Sequence, residues 1–204
     1  MDALDQIAGP ADSLLRRVDE LLSGAGAPPD HRVWTELRRV RLLPGDAVHA
    51  VTALRSAELL DAAPELRADA RAYAGIAESL PPPGGWTGAA ADAYDAARRR
   101  AADHLSGGAD SLDERMEATA DLADALIDWI EQTRGSLAGV LAEILVSSQA
   151  ITLVAEERAD PTASRLVAAG ADVAERILRS VAESYDAAAE LLHGSAELVV
   201  PYQV

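Results

Sequence analysis

The amino-acid sequence predicts an all-α fold, an elongated antiparallel bundle assembled from helix-turn-helix hairpins. Three observations predict it. Hydrophobic residues make up 49% of the 204, yet Phe is absent and aromatics are only 3%, so alanine, leucine and valine supply the apolar surface. Alanine loses no side-chain entropy in a helix and leucine loses little. Apolar residues recur three and four apart over long stretches, whereas no stretch alternates with period two.

The elements follow in order. Leu4, Ile7, Leu14, Leu15, Val18, Leu21 and Leu22 fall at helical spacing, with Pro10 expected to open the main segment as a first-turn residue. Gly24 to Asp30 reads as a loop. A short helix is expected around Val33 to Leu42, before Pro44-Gly45. Asp46 suits an N-cap for a longer helix, about 46–80, with the stripe Val48, Val51, Leu59, Ala62, Leu66, Tyr73, Ala77, Leu80. Pro64 predicts a kink or restart near Ala63. Pro81-Pro82-Pro83-Gly84-Gly85 ends that helix, because three prolines supply no amide donors.

A further helix starts after Gly88 with the face Ala90, Tyr94, Ala97, Ala101, Leu105. Ser106-Gly107-Gly108 predicts a break, and Ser111 followed by Glu114 has the capping-box pattern of a fresh start; Leu105 and Leu112 are seven apart, so a kinked but continuous helix would also keep its seam. From Leu112 the seam is the most regular in the chain: Met116, Thr119, Ala123, Leu126, Ile130, Thr133, Leu137, Val140, Ile144, Ser148, Ile151, Ala155. It predicts one helix over about 111–157, roughly 65–70 Å long. Asp160-Pro161 then opens a last helix, about 162–199, with the stripe Leu166, Gly170, Val173, Ile177, Val181, Tyr185, Ala188, Leu192, Ser195. The organisation expected is an N-terminal helical segment 1–45, a hairpin 46–105 and a long C-terminal hairpin 106–204, packed as one composite domain.

Charge and composition exclude several functions. The net charge of −16 disfavours bare nucleic acid, whose binding requires neutralising phosphates. Cysteine is absent, so there is no thiol nucleophile, thiolate metal site or disulfide framework. His31, His49, His104 and His193 are scattered without ligand spacing, so no metal and no cofactor is expected. No nucleophile elbow or phosphate loop is present, and no catalytic residue is assigned. Paired acids such as Glu156-Glu157 read as solvated helix faces, and the basic clusters Arg38-Arg39-Arg41 and Arg98-Arg99-Arg100 as solvated faces or intrachain salt bridges. Met1-Asp2-Ala3-Leu4-Asp5 lacks the basic region and apolar run of a Sec signal, so any export is expected by a leaderless route. Leu137 to Ala155 approaches membrane-span length, but Glu143 and Gln149 lie inside it and it continues the upstream seam. It reads as a buried helix, and membrane insertion is disfavoured.

Gly84-Gly85-Trp86-Thr87-Gly88-Ala89-Ala90-Ala91-Asp92-Ala93-Tyr94 is the most distinctive segment. It sits between two predicted helices and puts an indole at the turn, a glycine at the helix start and a tyrosine one to two turns on. Trp86 there must pack under a neighbouring element or remain as a docking surface. The segment resembles the hairpin turn of the WXG-motif family of type VII secretion substrates, in a larger, actinobacterial-type form. The resemblance covers about 46–105. It implies a non-enzymatic substrate or co-secreted partner that acts by protein–protein binding and is secreted or held at the cell envelope. The implied partners are a WXG-type helical protein or a second copy, and the secretion ATPase. Trp86, Gly88 and Tyr94 are the partner-binding residues that it implies.

The family's Tyr-x-x-x-Asp/Glu export signal is not matched. Tyr185 with Glu190, one residue too far, is the nearest degenerate form. Two other readings share the fold: a cytosolic chaperone or adaptor for a secreted toxin, and a membrane-active effector using 137–155.

Overall fold

The computed structural model describes residues 2–108, 110–155 and 164–196, and every regular element among them is helical. Their order is α1 (Ala3–Gly24), α2 (Val33–Val40), α3 (Pro44–Ala53), a 3₁₀ turn (Ser56–Glu58), α4 (Ala62–Ser79), α5 (Ala89–Leu105), α6 (Leu112–Leu145), α7 (Ser148–Ala155) and α8 (Ser164–Ala196). Glu156-Glu157, Asp160-Pro161 and the expected helix ends at 162–163 and 197–199 lie outside the described residues. The chain forms two compact units, each discontinuous in sequence: Met1–Arg55 with Trp129–Ala188, and Ser56–Asp128 with Ala189–Val204. Helix α6 contributes residues to both.

The first unit has a core of large aliphatic side chains. Leu4, Val18 and Leu21 of α1, Val48 and Val51 of α3, Leu137, Leu141 and Ile144 of α6, and Ile177 and Leu178 of α8 are buried together. The seams expected for α1 and α8 are the buried ones as far as Val181. Pro10, however, lies inside α1, which begins earlier than expected. Asp2 caps that start: its carboxylate accepts from the Asp5 amide at 3.0 Å, and the Asp5 side chain accepts from the Asp2 amide at 3.3 Å. Pro10 is exposed, where its missing N–H is least costly.

A single helix over 46–80 does not form; α3, a 3₁₀ turn and α4 replace it. Arg134 of α6 accounts for the interruption. Its side chain is buried, and Nη1 donates to the carbonyls of Val51 (3.2 Å), Thr52 (2.7 Å) and Leu54 (3.0 Å). A guanidinium thus takes acceptors that an unbroken helix would use for its own amides. The Nε and Nη2 groups donate to Asp2 at 2.5 and 3.0 Å, and Nη2 donates to Asp5 at 2.7 Å. One side chain therefore ties the start of α1 to the end of α3.

Asp46 does not cap α3. Leu43 occupies the cap position, Pro44 opens the helix, and Asp46 lies in the first turn. The acceptor is Asp19 of α1, whose two carboxylate oxygens each accept from the Gly45 amide at 3.2 Å. A Cβ on residue 45 would crowd the Asp19 carboxylate, which would have to swing aside and weaken its bond to that amide.

The Arg134 contact gives the fold a defined acid response. The guanidinium beside Asp2 holds that carboxyl down from 3.8 to about 2. The folded state therefore binds fewer protons than the unfolded chain across this range. Stability from Asp2 is fully present above pH 3.8 and is lost as pH falls towards about 2. Asp19 acts in the opposite sense. Burial pushes its carboxyl up, so it favours the folded state at low pH and loses that contribution as pH rises through its folded value. Urea midpoints measured from pH 5 to pH 2 should fall less steeply for Asp2→Asn than for the unsubstituted chain.

The seam expected to run unbroken to Ala155 stops at Leu145. The pair α6 and α7 is bent by 60°. Ser147 makes the break: its Oγ donates to the Ile144 carbonyl at 2.6 Å and accepts from the Ala150 amide at 3.2 Å. Beyond it Ala150 and Leu153 are buried, while the expected seam residues Ser148, Ile151 and Ala155 are exposed. The 137–155 stretch is thus two helices, each with one buried face. No single described helix is long and apolar enough to cross a membrane.

The second unit is cored differently. Its buried centre is Ala63, Ala120 and Ala123, with Ala62 and Leu66 packed against them. Helix α4 restarts at Ala62, as Pro64 predicted, and packs on α5 as a hairpin. Arg67 of α4 pins α6 through Asp121 (2.7 Å), Asp124 (2.8 Å) and Glu117 (3.5 Å). The break after Leu105 is present, but Ser111 forms no capping box with Glu114. Its Oγ donates to the Gly108 carbonyl (2.6 Å) and to Asp113 (2.5 Å), whose carboxylate also accepts from the Glu114 amide at 2.8 Å.

Candidate functional site

Residues 80–88 connect α4 to α5, and the three residues singled out in sequence meet there. The Trp86 amide donates to the Pro83 carbonyl at 3.3 Å, closing a turn around Gly84, which has φ 62°. Gly88 is the N-cap of α5, with φ 93° and ψ −176°. That backbone region is essentially closed to any residue with a Cβ. The Gly88 carbonyl then accepts from the Ala91 and Asp92 amides at 2.9 and 3.1 Å, starting the helix.

Tyr94 stands just beyond the first turn of α5 and reaches back over the connection. Its hydroxyl donates to the Pro81 carbonyl at 2.9 Å. Its ring lies against the indole, with centroids 5.8 Å apart and planes tilted by 58°. This geometry suits edge contact between two quadrupoles. Tyr94 thereby braces both the turn and the indole. Trp86 nevertheless remains 64% exposed, so it does not plug the end of the bundle.

The exposed surface extends along the hairpin. The α5 face expected to be buried is turned outward: Ala90, Tyr94, Ala97 and Ala101 are exposed, and Leu105 is half-buried. Ala91 is the buried residue of α5, with Asp95, Ala96, Arg98 and Ala102 half-buried on its side. The alanine columns on the two faces are chemically alike, so apolar spacing alone does not choose between them. On α4, Ala68, Ala72 and Ile76 are also exposed at helical spacing. Arg98 lies on the inner side, bonded to Asp95 at 2.8 and 3.0 Å, and Arg99 also pairs with Asp95. These guanidiniums hold the Asp95 carboxyl below its usual range.

Replacing Gly88 by alanine should strain the start of α5. The expected cost is about 1–3 kcal/mol, the usual range for a residue forced into a sparsely allowed region. A Cβ at 88 meets no atom within 4 Å, so the penalty comes from the backbone and not from a clash. Hydrogen exchange should report faster exchange of the first α5 amides in Gly88→Ala. Gly85→Ala, at a position without positive φ, should leave them unchanged.

The degenerate export pair is arranged less favourably. Tyr185 and Glu190 are exposed on α8, but a five-residue offset sets them about 140° apart around an ideal helix. A four-residue offset would bring them within about 40°.

The fold also makes one polar group that the spacing of the histidines did not announce. His31 Nδ1 accepts from the Val33 amide at 3.1 Å, and Nε2 donates to Asp172 of α8 at 3.1 Å. Gln149 donates to the same carboxylate at 3.5 Å. Both imidazole nitrogens are engaged in holding α2 and α8, leaving no free lone pair for proton abstraction. Among the described residues no group of three His, Asp or Glu side chains could hold a metal ion. Comparison with protein-family models, curated proteins and solved structures finds no match to this chain.

Proposed function

We propose that this chain acts by binding, as a substrate or co-secreted partner of a type VII secretion system, and that the α4–α5 hairpin is its docking element. The observation that carries this reading is the exposed indole of Trp86, braced by Tyr94 at a glycine-dependent turn. An exposed tryptophan costs solubility, and a partner groove is what such an anchor serves. The exposed alanine faces of α4 and α5 support it, because small side chains let a second helical hairpin approach closely. A WXG-type helical protein, or a second copy, fits that surface, and the secretion ATPase would read the resulting pair. The Tyr185–Glu190 pair lacks the four-residue spacing that would put both groups on one side of α8. Export could instead depend on a signal carried by the partner.

Trp86→Ala tests the reading. The side chain is mostly in water, so far-UV circular dichroism should be nearly unchanged. Export into culture medium, compared with retention in the cell lysate, should fall at least several-fold. Undiminished export of a folded Trp86→Ala chain would remove Trp86 from the mechanism. Retention of the unsubstituted chain in the lysate would favour the cytosolic chaperone or adaptor.

A further inference from the structure

A second feature, independent of the hairpin, lies in the first unit between α1 and α7. Two adjoining hollows of about 420 and 400 Å³ share Ser13, Leu14 and Val154. Together they form a furrow that follows one face of α1 for about 15 Å, from Pro10 to Glu20.

The two ends differ in chemistry. The Pro10 end is walled by Leu14, Leu145, Ala150, Ile151 and Val154, with Ser13 its one hydroxyl. Ile151 and Val154 are 65% and 66% exposed, large apolar groups standing at the rim without cover. The other end is walled by Arg16, Arg17 and Glu20.

Arg17 is the unusual group. Its Nε and Nη2 are shielded from water and have no hydrogen-bond partner. These two nitrogens form the side edge of the guanidinium, whose parallel N–H groups pair with both oxygens of a carboxylate. An unpaired guanidinium edge costs stability unless an acceptor completes it. The opposite nitrogen, Nη1, is 3.6 Å from Glu20, a loose contact, and Arg16 is 3.3 Å from Asp12. A carboxylate that drew the Arg17 side chain into the furrow would supply both missing acceptors.

We propose that this furrow binds a single-chain anionic amphiphile, with a carboxylate head on Arg17 and the alkyl chain along Leu14, Leu145, Ala150 and Val154. The furrow is polar and cationic at one end and apolar at the other, which is the polarity of such a ligand. Glu20 and Asp12 limit the positive field, so the head group is held by paired hydrogen bonds to one guanidinium and not by a diffuse basic patch. Ile151 and Val154 gain cover when the chain is seated.

Calorimetric titration of the intact chain with dodecanoate, below its micelle-forming concentration, tests this site. Saturable binding at one equivalent is expected, with dodecyltrimethylammonium and acetate each binding at least about tenfold more weakly, as loss of a bidentate ionic pair or of the buried chain implies. Arg17→Met, which keeps the apolar stem, should weaken dodecanoate about tenfold. Val154→Trp, at an exposed rim position that leaves folding intact, should block the furrow and abolish binding. Absence of saturable binding would overturn the proposal. So would equal binding of the cationic and anionic amphiphiles, which would mark general adsorption on exposed α7. Should Arg17→Met fail to fold, the head-group series and Val154→Trp decide the matter alone.

Discussion

Arg134→Ala should lower the unfolding free energy by about 3–5 kcal/mol, the range for breaking a buried, hydrogen-bonded ion pair from one side. Arg134 is only 6% exposed and all three of its side-chain nitrogens are bonded. Removing it takes the charged donor from the carbonyls of Val51, Thr52 and Leu54, which keep only the Leu54 amide and the exposed Arg55 side chain, and leaves Asp2 and Asp5 facing a void. Asp2 and Asp5 are partly in water and recover some solvation, whereas the buried Val51 carbonyl does not recover the guanidinium's charge-assisted bond. Arg134→Lys keeps the charge and should recover only part of the loss, because an ammonium lacks the planar fork that spans two carboxylates and three carbonyls. Urea denaturation at neutral pH measures both. A loss under 1 kcal/mol for Arg134→Ala would mean that water replaces the guanidinium freely.

Leu141→Ala should be the next most damaging substitution, by about 2–5 kcal/mol. Leu141 is 1% exposed within the core formed by α1, α3, α6 and α8, and its neighbours include other fully buried leucine and isoleucine side chains. Such a wall collapses only partly around a lost side chain, so a cavity term adds to the lost burial. Among its described residues the second unit offers no equivalent target, since alanines form its buried centre. Substitutions there remove little volume. Its helices should also show the lower hydrogen-exchange protection, for want of buried apolar area. Denaturation of Leu141→Ala and exchange of the unsubstituted chain measure these two expectations.

Most helices were legible in the sequence because apolar spacing and breakers agreed. The prolines and glycines of 81–85 end α4, and Ser106-Gly107-Gly108 separates α5 from α6. The hairpin turn was legible for the same reason. Gly88 and Tyr94 stand where a helix start and a bracing ring are needed, and the structure brings both to Trp86.

Four features were not legible, each for a physical reason. The end of α3 depends on Arg134, some eighty residues away in sequence, and no local pattern records that contact. The bend after Leu145 depends on Ser147. The apolar spacing passes through it in phase, although a serine three residues before Ala150 carried the capping signal. The rotation of α5 was hidden because alanine lies on both faces, so no side chain's size distinguished inside from outside. The sequence likewise treated His31 as isolated, while the fold supplies Asp172 from α8.

The most direct test of the proposed role compares culture medium and lysate of the native host with and without a working type VII secretion ATPase. The account expects the intact chain to accumulate in the medium only when the ATPase works, and to remain in the lysate otherwise. An identical distribution in the two strains would contradict it.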